Sequence, residues 1–445
     1  MRLFFMGKHG GSHPNEMKDR TNGLPIEQAT IPKQLIYPMS MHIGAPAEPV
    51  VSVGEKVCIG TLLAKAPGMI SANVHASVSG TVMAIEKRPT LNGFSDCIVV
   101  ENDGLDTLSA DIKTEAEQIT EAALILERIQ EAGIVGMGGA AFPTAVKLNP
   151  PKGSVIDTLI INGAECEPYS TSDHRVMLEY TEEIIKGIET VSNLFPKLQN
   201  VYVAIEDNKK DAIIAVENAG AHLSNLRVVP MKTMYPRGSE KNLIKLLTGR
   251  EVRPGGLPAE VRCVVMNVSS ARASYRAIAF KEPLYERVVS VSGTPVKSPK
   301  NLLVRIGTPV ESLLKDCGGF IQSPEKLLSG GPMMGRTLSD VQIPVMKAMT
   351  AITALNEKES RIGEESDCIR CAECIHVCPV NLQPVLISEA YRRGDLEKAR
   401  ALGAMDCIEC GNCSYICPSK IPLLQNIRDA KAAIRTLDEK KKEGA

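Results

Sequence analysis

Tryptophan is absent from this 445-residue chain, and aromatic residues make up only 4 % of it. Platforms for stacking nucleic-acid bases are therefore scarce. An excess of one charge is missing too: 51 basic residues face 52 acidic ones, for a net charge of −1 and a sequence pI near 6.7. With no basic stripe and few aromatics, nucleic acid is not an expected partner. Long hydrophobic runs are lacking, since no window approaches the roughly eighteen uninterrupted apolar residues of a membrane span. The opening "MRLFFMGKHGGSHP" is broken by Gly and His before a signal core forms. The expectation is a cytoplasmic chain without a transmembrane segment.

What is present is the composition of an ordinary soluble protein, 44 % apolar and 23 % charged. The length implies two to four domains. Eight of the thirteen cysteines crowd between Cys368 and Cys417. Without an export signal, such crowding points to metal ligation rather than disulfides. Cys58, Cys97, Cys166, Cys263 and Cys317 stand alone and are expected to be small buried hydrophobes.

Along the chain, residues 40 to 100 hold short β-like runs punctuated by Gly, in "PVVSVGEKVCIGTLLAKA" and "NVHASVSGTVMAIEKR". They resemble the barrel-sandwich hybrid of lipoyl and biotinyl domains. The neighbours of a modified hairpin lysine are missing, so Lys65 is a surface residue and the carrier function does not transfer. Apolar spacing predicts a helix over Thr114–Ala132, stopped by Gly133. "SVIDTLIING" and "VYVAIE" predict buried strands, and "DNKKDAIIAVENAGA" and "SEKNLIKLLTG" predict helices, which makes an α/β unit. A small α+β unit follows, and "LISEAYRRGDLEKARAL" predicts one helix between the cysteine runs. "LDEKKKEGA" is expected to fray.

The runs read Cys368-x2-Cys371-x2-Cys374-x3-Cys378-Pro379 and Cys407-x2-Cys410-x2-Cys413-x3-Cys417-Pro418. This is the bacterial two-cluster ferredoxin spacing written twice, in which the fourth cysteine of each run serves the other cluster. One 4Fe-4S cluster is thus expected on Cys368, Cys371, Cys374 and Cys417, and the second on Cys407, Cys410, Cys413 and Cys378. A zinc site needs separated pairs and fits poorly. His376, inside the first run, is expected to be a solvated loop residue.

"GIVGMGGAAFPTAVK" contains Gly136-x-Gly138-x-x-Ala141, a loose dinucleotide fingerprint, but a helix precedes it where that motif needs a strand. Two readings stand: an anion cradle of Gly136, Gly138 and Gly139 backbone with Lys147 nearby, or a glycine-rich turn between helices. Asn162, Glu165, Glu167 and Asp173 crowd the carboxyl end of the next strand, as ligand contacts or as caps and turn formers.

"GMGGAAFPTAVK", "NGAECEP" and "YPRGSEKNLIKLLTG" together resemble the NADH- and FMN-binding flavoprotein subunit of respiratory complex I. With "SHPNEMK" and "MHIGAPAEPVVSVGEKV", the whole chain resembles the RnfC family of the Rnf complex. The resemblance implies a barrel-sandwich hybrid with an N-terminal segment (1–114), a flavoprotein-like α/β FMN domain (115–275) and a β-grasp module (276–355). An α-helical two-cluster ferredoxin domain (356–430) and a polar tail (431–445) complete it. It implies non-covalent FMN lined by Gly136, Gly138, Gly139, Lys147, Asn162, Gly238 and Asn267, with Glu165 in the same cofactor site. Phe142, Glu167 and Glu240 would face NAD(H). Ala164 and Ser239 depart from the complex I pattern, which has acidic residues there. The implied activity is that of a membrane-bound, ion-translocating ferredoxin:NAD+ oxidoreductase, with FMN carrying the hydride and no catalytic side chain. The implied partners are the other Rnf subunits, one of them an iron–sulfur subunit, and ferredoxin indirectly. The implied location is peripheral, on the cytoplasmic face of the membrane. Two alternatives are a cobalamin reductase of bacterial microcompartments and a non-catalytic electron-wiring subunit.

Overall fold

A computed structural model describes residues 10–443 of the protein. The expectations for the extreme N-terminal "MRLFFMGKH" and for Gly444 and Ala445 lie outside the described residues.

The flavoprotein-like unit is built on four parallel strands, in spatial order Leu226–Met231, Asn200–Glu206, Thr158–Gly163, Cys263–Asn267. Alternate side chains serve two cores, which is why the strands read as continuous apolar runs. Leu159, Ile161, Val203 and Ile205 pack with the helices Thr181–Ser192, Lys210–Ala219 and Val268–Phe280, whereas Ile160, Ala204 and Val265 pack with Glu240–Thr248. The first strand in sequence is central, with the second on one side and the last on the other. The order of connections therefore reverses between Thr158–Gly163 and Cys263–Asn267, and ligands of open α/β sheets bind outside the carboxyl ends at such a point.

The barrel-sandwich hybrid has a four-stranded sheet (Gln34–Pro38, Gly93–Asn102, Gly80–Thr90, Lys56–Val57) against a three-stranded one (Glu48–Pro49, Leu62–Lys65, Val74–His75). Its hairpin strands of 11 and 10 residues exceed the short runs expected, because residues 88–90 and 93–95 extend as a two-stranded ribbon beyond the sandwich. The β-grasp module is a mixed sheet carrying the helix Val310–Asp316. Its edge strand, Ile26–Gln28, comes from the N-terminal segment and pairs parallel with Asn301–Leu303.

Four details differ from the sequence reading. The helix expected from Thr114 begins only at Ala122, because Lys113 and Glu117 donate their N–H groups to the Phe280 and Ala279 carbonyls, at 2.8 Å each. Val268–Phe280 runs straight through the expected division at 275. The helix between the cysteine runs breaks into Pro384–Arg392 and Leu396–Ala401 at Gly394, whose φ of 74° suits glycine. The expected tail is the second half of a 21-residue helix, Leu423–Glu443. Ile427, Ala430 and Ile434 continue its apolar stripe, and buried Lys431 donates to the Cys407 carbonyl at 2.9 Å and meets Glu409.

Candidate flavin and iron–sulfur site

Asn162 and Asn267 are register partners at the carboxyl ends of the two strands that flank the switch point. Each is committed on one side and open on the other. Asn267 caps Val268–Phe280 by accepting from the Ser269 and Ser270 N–H groups, and its Nδ2 donates to Asp173 at 2.7 Å. Asn162 Nδ2 donates to the Gly238 carbonyl at 2.9 Å, and its Oδ1 accepts from the Ala164 N–H at 3.0 Å.

The glycine loop folds over this end. A Cβ on Gly138 would stand 2.5 Å from Asn267 Nδ2, so only glycine fits, whereas a Cβ on Gly139 would meet nothing within 4 Å. Gly136 and Met137 are tied down, their N–H groups donating to the Phe142 carbonyl at 2.8 Å and to Ser270 Oγ at 2.9 Å. The N–H groups of Gly138, Gly139 and Ala140 donate to no protein acceptor among the described residues. Those three residues are exposed. Thr144–Leu148 follows, carrying Lys147, which pairs with Glu240 across the opening. Gly238 also needs its small size, since an added Cβ would stand 2.5 Å from the Ala164 carbonyl.

The acidic residues behave differently from one another. Glu165 is buried beneath the start of Ser172–Glu179, accepting from Ser170 Oγ at 2.7 Å and the Asp173 N–H at 3.0 Å. Its pKa is held below the usual value because Lys18, Lys209 and these donors outweigh burial. Glu167 Oε1 accepts from the Met333 and Met334 N–H groups at 2.7 and 3.0 Å, so it grips a turn of the β-grasp module. Burial raises its pKa. Asp173 is pushed up to about 6 by burial and by the Glu165 charge, against its bonds to Ser269 and Asn267. Of the expected set, Gly136 with Phe142, Gly138 with Asn267, Asn162 with Gly238, and Lys147 with Glu240 are in contact at this end of the sheet, beside the exposed Gly139. Glu165 and Glu167 lie behind these contacts as supports.

The cysteine repeat is also a conformational repeat. Arg370 and Glu409 take φ of 58°, and Ala372 and Gly411 take 63° and 82°, at matching places in the two runs. The Arg370 and Glu409 N–H groups each point at a sulfur, Cys368 and Cys407, at 3.4 Å. Burial raises the Cys374 thiol pKa, and the charges of Cys417, Cys371 and Cys368 add to it. Cys413 is pushed up to about 12 by burial and then by Cys407, Cys410 and Cys378. These neighbours sort the thiols into one quartet of 368, 371, 374 and 417 and another of 378, 407, 410 and 413. Cys368 and Cys371 are exposed, while Cys378, Cys410 and Cys413 are buried; His376 is exposed. Among the described residues no three His, Cys, Asp or Glu side chains are arranged to hold a single metal ion. Of the lone cysteines, Cys97, Cys263 and Cys317 are buried and Cys58 and Cys166 are partly so.

The second quartet is stitched to the flavoprotein-like unit. Buried Tyr235, three residues before Gly238, donates its hydroxyl to the Cys410 carbonyl at 2.7 Å. Asn412 donates to the Tyr235 carbonyl at 3.2 Å and accepts from Ser12 Oγ at 2.6 Å. Ser12 exchanges backbone hydrogen bonds with Tyr235, and Gly10 and Gly11 donate to His376 and Val377.

Comparison with known proteins matches these units to a barrel-sandwich hybrid domain model of RnfC (residues 6–105) and the FMN-binding domain model of Nuo51 (129–276). An SLBB domain model (288–337) and a 4Fe-4S dicluster domain model (361–418) match the rest. The C subunit of the Na+-translocating ferredoxin:NAD+ oxidoreductase complex of Acetobacterium woodii is 43 % identical over 96 % of both chains. The chain belongs to the RnfC family.

A second RnfC protein, the C subunit of the proton-translocating ferredoxin:NAD+ oxidoreductase complex of Clostridium ljungdahlii, is 45 % identical over 85 % of this chain and 83 % of its own. The C subunit of the ion-translocating oxidoreductase complex of Rhodobacter capsulatus is 43 % identical over 96 % and 82 %. Nothing in these matches favours a cobalamin reductase. A crystal structure of an NAD+-reducing [NiFe]-hydrogenase in the air-oxidized state superposes with a TM-score of 0.52 at 15 % identity, covering 94 % of this chain and 91 % of that one. It shares the fold. No helix among the described residues of this RnfC family member is long and apolar enough to cross a membrane.

Several residues here escaped the sequence reading. Tyr235 lay in a quoted motif without a role, and so did Ser12 and Lys18 in "SHPNEMK". Arg287 had one signal, a cation directly before the valines of the strand Glu286–Ser292.

Proposed function

We propose that this chain is the NAD(H)-reactive subunit of a membrane-bound, ion-translocating ferredoxin:NAD+ oxidoreductase. The observation that carries the reading is the open glycine cradle at the sheet's switch point, joined through Tyr235 to the loop of a buried cysteine quartet. The cradle fits FMN: free N–H groups and Lys147 offer anion contacts, and Asn162, Asn267 and Gly238 form its floor. Glu206 Oε1 and Arg237 Nε are orphaned buried atoms; burial lowers the Arg237 pKa, and the Glu206 charge opposes that only in part. Two 4Fe-4S clusters are assigned to the quartets, and the nucleotide to Phe142 and Glu240, with Glu167 fixing the wall behind them. When bound, the flavin exchanges a hydride with NAD(H) and single electrons with the clusters.

The side chains do the placing. Tyr235, Asn412 and Ser12 hold the Cys410 loop against the flavin loop, so the quartet of Cys407, Cys410, Cys413 and Cys378 faces inward. Exposed Cys368 and Cys371 turn the other quartet toward an iron–sulfur partner subunit, through which ferredoxin is reached indirectly. The chain then sits peripherally on the cytoplasmic face of the membrane, and an alkaline wash should release it.

Anaerobic reconstitution with iron, sulfide and FMN, followed by NADH titration, tests the reading. Bleaching of both flavin and cluster absorbance is expected; cluster absorbance that NADH leaves unchanged would show a wiring subunit instead. Gly138→Ala, which forces a Cβ onto Asn267, should weaken FMN binding by about tenfold or more, a loss of roughly 1.4 kcal/mol. Iron content should not change. Fluorescence titration with FMN reads the difference.

A further inference from the structure

The glycine loop offers its N–H groups outward, so something must hold its carbonyls from behind. Two basic side chains of the β-grasp module do so. Arg287, 1 % exposed, points Nη1 and Nη2 at the Met137 carbonyl, 3.4 and 3.3 Å away, and Nη1 also reaches the Lys347 carbonyl. Lys347, fully buried, donates to the Gly133 carbonyl at 2.7 Å and to the Asn73 carbonyl of the barrel-sandwich hybrid at 2.6 Å. A Cβ on Gly133 would stand 2.8 Å from that ammonium.

Neither side chain forms a salt bridge with a described carboxylate, and burial lowers the pKa of Lys347 to about 7 and that of Arg287 to about 10, so Arg287 is the standing charge at neutral pH. Asp173 lies close enough to act on Arg287 through its charge, yet burial makes its own ionised form costly. On the other side His42 and His75 face Lys347, and its charge together with burial keeps their pKa values low. A buried cation without an anion costs several kcal/mol. The Arg287 guanidinium, charged at neutral pH behind a loop with free N–H groups, creates a positive potential on its open side.

We propose that Arg287 is a positioning residue that fixes the glycine loop and supplies the charge by which it prefers an anionic flavin, with Lys347 holding the turn at Gly133. The inference rests on the flavin reading above. The anion is the phosphate of FMN in either redox state, or the ring once reduced; the shared chemistry is negative charge laid on the loop.

The test titrates anaerobic protein with FMN, riboflavin and dithionite-reduced FMN, comparing wild type with Arg287→Met, Arg287→Lys and Lys347→Met. Wild type should prefer FMN to riboflavin; Arg287→Met should lose about tenfold of a preference, the scale of one removed charge near a partly buried site, whereas Lys347→Met should keep most of it. Loss of the FMN-over-riboflavin preference places the phosphate on the loop. Loss confined to reduced over oxidised FMN places the ring there. Arg287→Lys, which keeps the charge, should keep most of the preference. Equal weakening for every flavin in Arg287→Met would mean a purely structural role and overturn the proposal, as would unchanged binding in that variant. If Arg287→Met does not fold, Arg287→Gln, neutral but still able to donate to the Met137 carbonyl, carries the same comparison. A wild type that binds no flavin would remove both readings together.

Discussion

Cys378→Ser should cost the protein the cluster of the other run. In the structure Cys378 lies among Cys407, Cys410 and Cys413, and its sulfur already accepts the Leu382 N–H at 3.3 Å. Cys368→Ser should instead remove the cluster shared with Cys371, Cys374 and Cys417. Each variant should fall from about eight to about four irons per chain, with sulfide falling in step. Their dithionite-reduced electron paramagnetic resonance spectra should differ, because each keeps the centre the other has lost. The two sites are unequal, which sharpens the comparison. Cys368 is exposed at the edge, whereas the Cys378 quartet lies beside buried Tyr235, Asn412 and Lys431. Losing the inner cluster should therefore also loosen the contact between ferredoxin-like and flavin-binding units, seen as faster proteolysis near residue 235. Identical residual spectra for the two variants would sink the crossed assignment.

What could be read in advance follows from the range of the forces involved. The cysteine spacing is a local rule, and even its positive-φ positions repeat, so a 4Fe-4S dicluster unit was legible although the course of its helices was not. The parallel sheet was legible because strands covered on both faces read as apolar runs. Contacts between distant segments were not. Ser12 and Asn412 are 400 residues apart, and nothing in "GGSHPNEMK" says that it threads between the two units. The acids at the strand end show the same limit: composition marked Glu165 and Glu167, but only packing separates a carboxylate lining the opening from one holding a helix start or a neighbouring turn. The final helix was misread because its lysines mask a stripe of Ile427, Ala430 and Ile434 that continues the preceding apolar face.

Lys18→Met should have the largest effect on stability of any single change outside the clusters. Lys18 is 6 % exposed, and its ammonium donates to the carbonyls of Glu165, Glu167 and Ser170 at 2.8, 2.9 and 2.5 Å. Burial and the charge of Lys209 lower its pKa, while Glu165 and Glu206 favour the charged form. Methionine matches the length of the side chain but leaves three carbonyls without their donor and the buried Glu165 carboxylate facing Lys209 alone. Removing one partner from such a buried charge cluster costs about 3–5 kcal/mol, against less than about 0.5 kcal/mol for an ordinary surface position. The loss should concentrate in the loop from Gly163 to Thr171, which carries Ala164 against Gly238 and Glu167 against Met333. The variant should therefore release FMN and expose that loop to protease at denaturant concentrations the wild type tolerates, while its iron content stays near normal. A variant with wild-type urea midpoint and flavin content would mean that the N-terminal segment lies over the site without holding it.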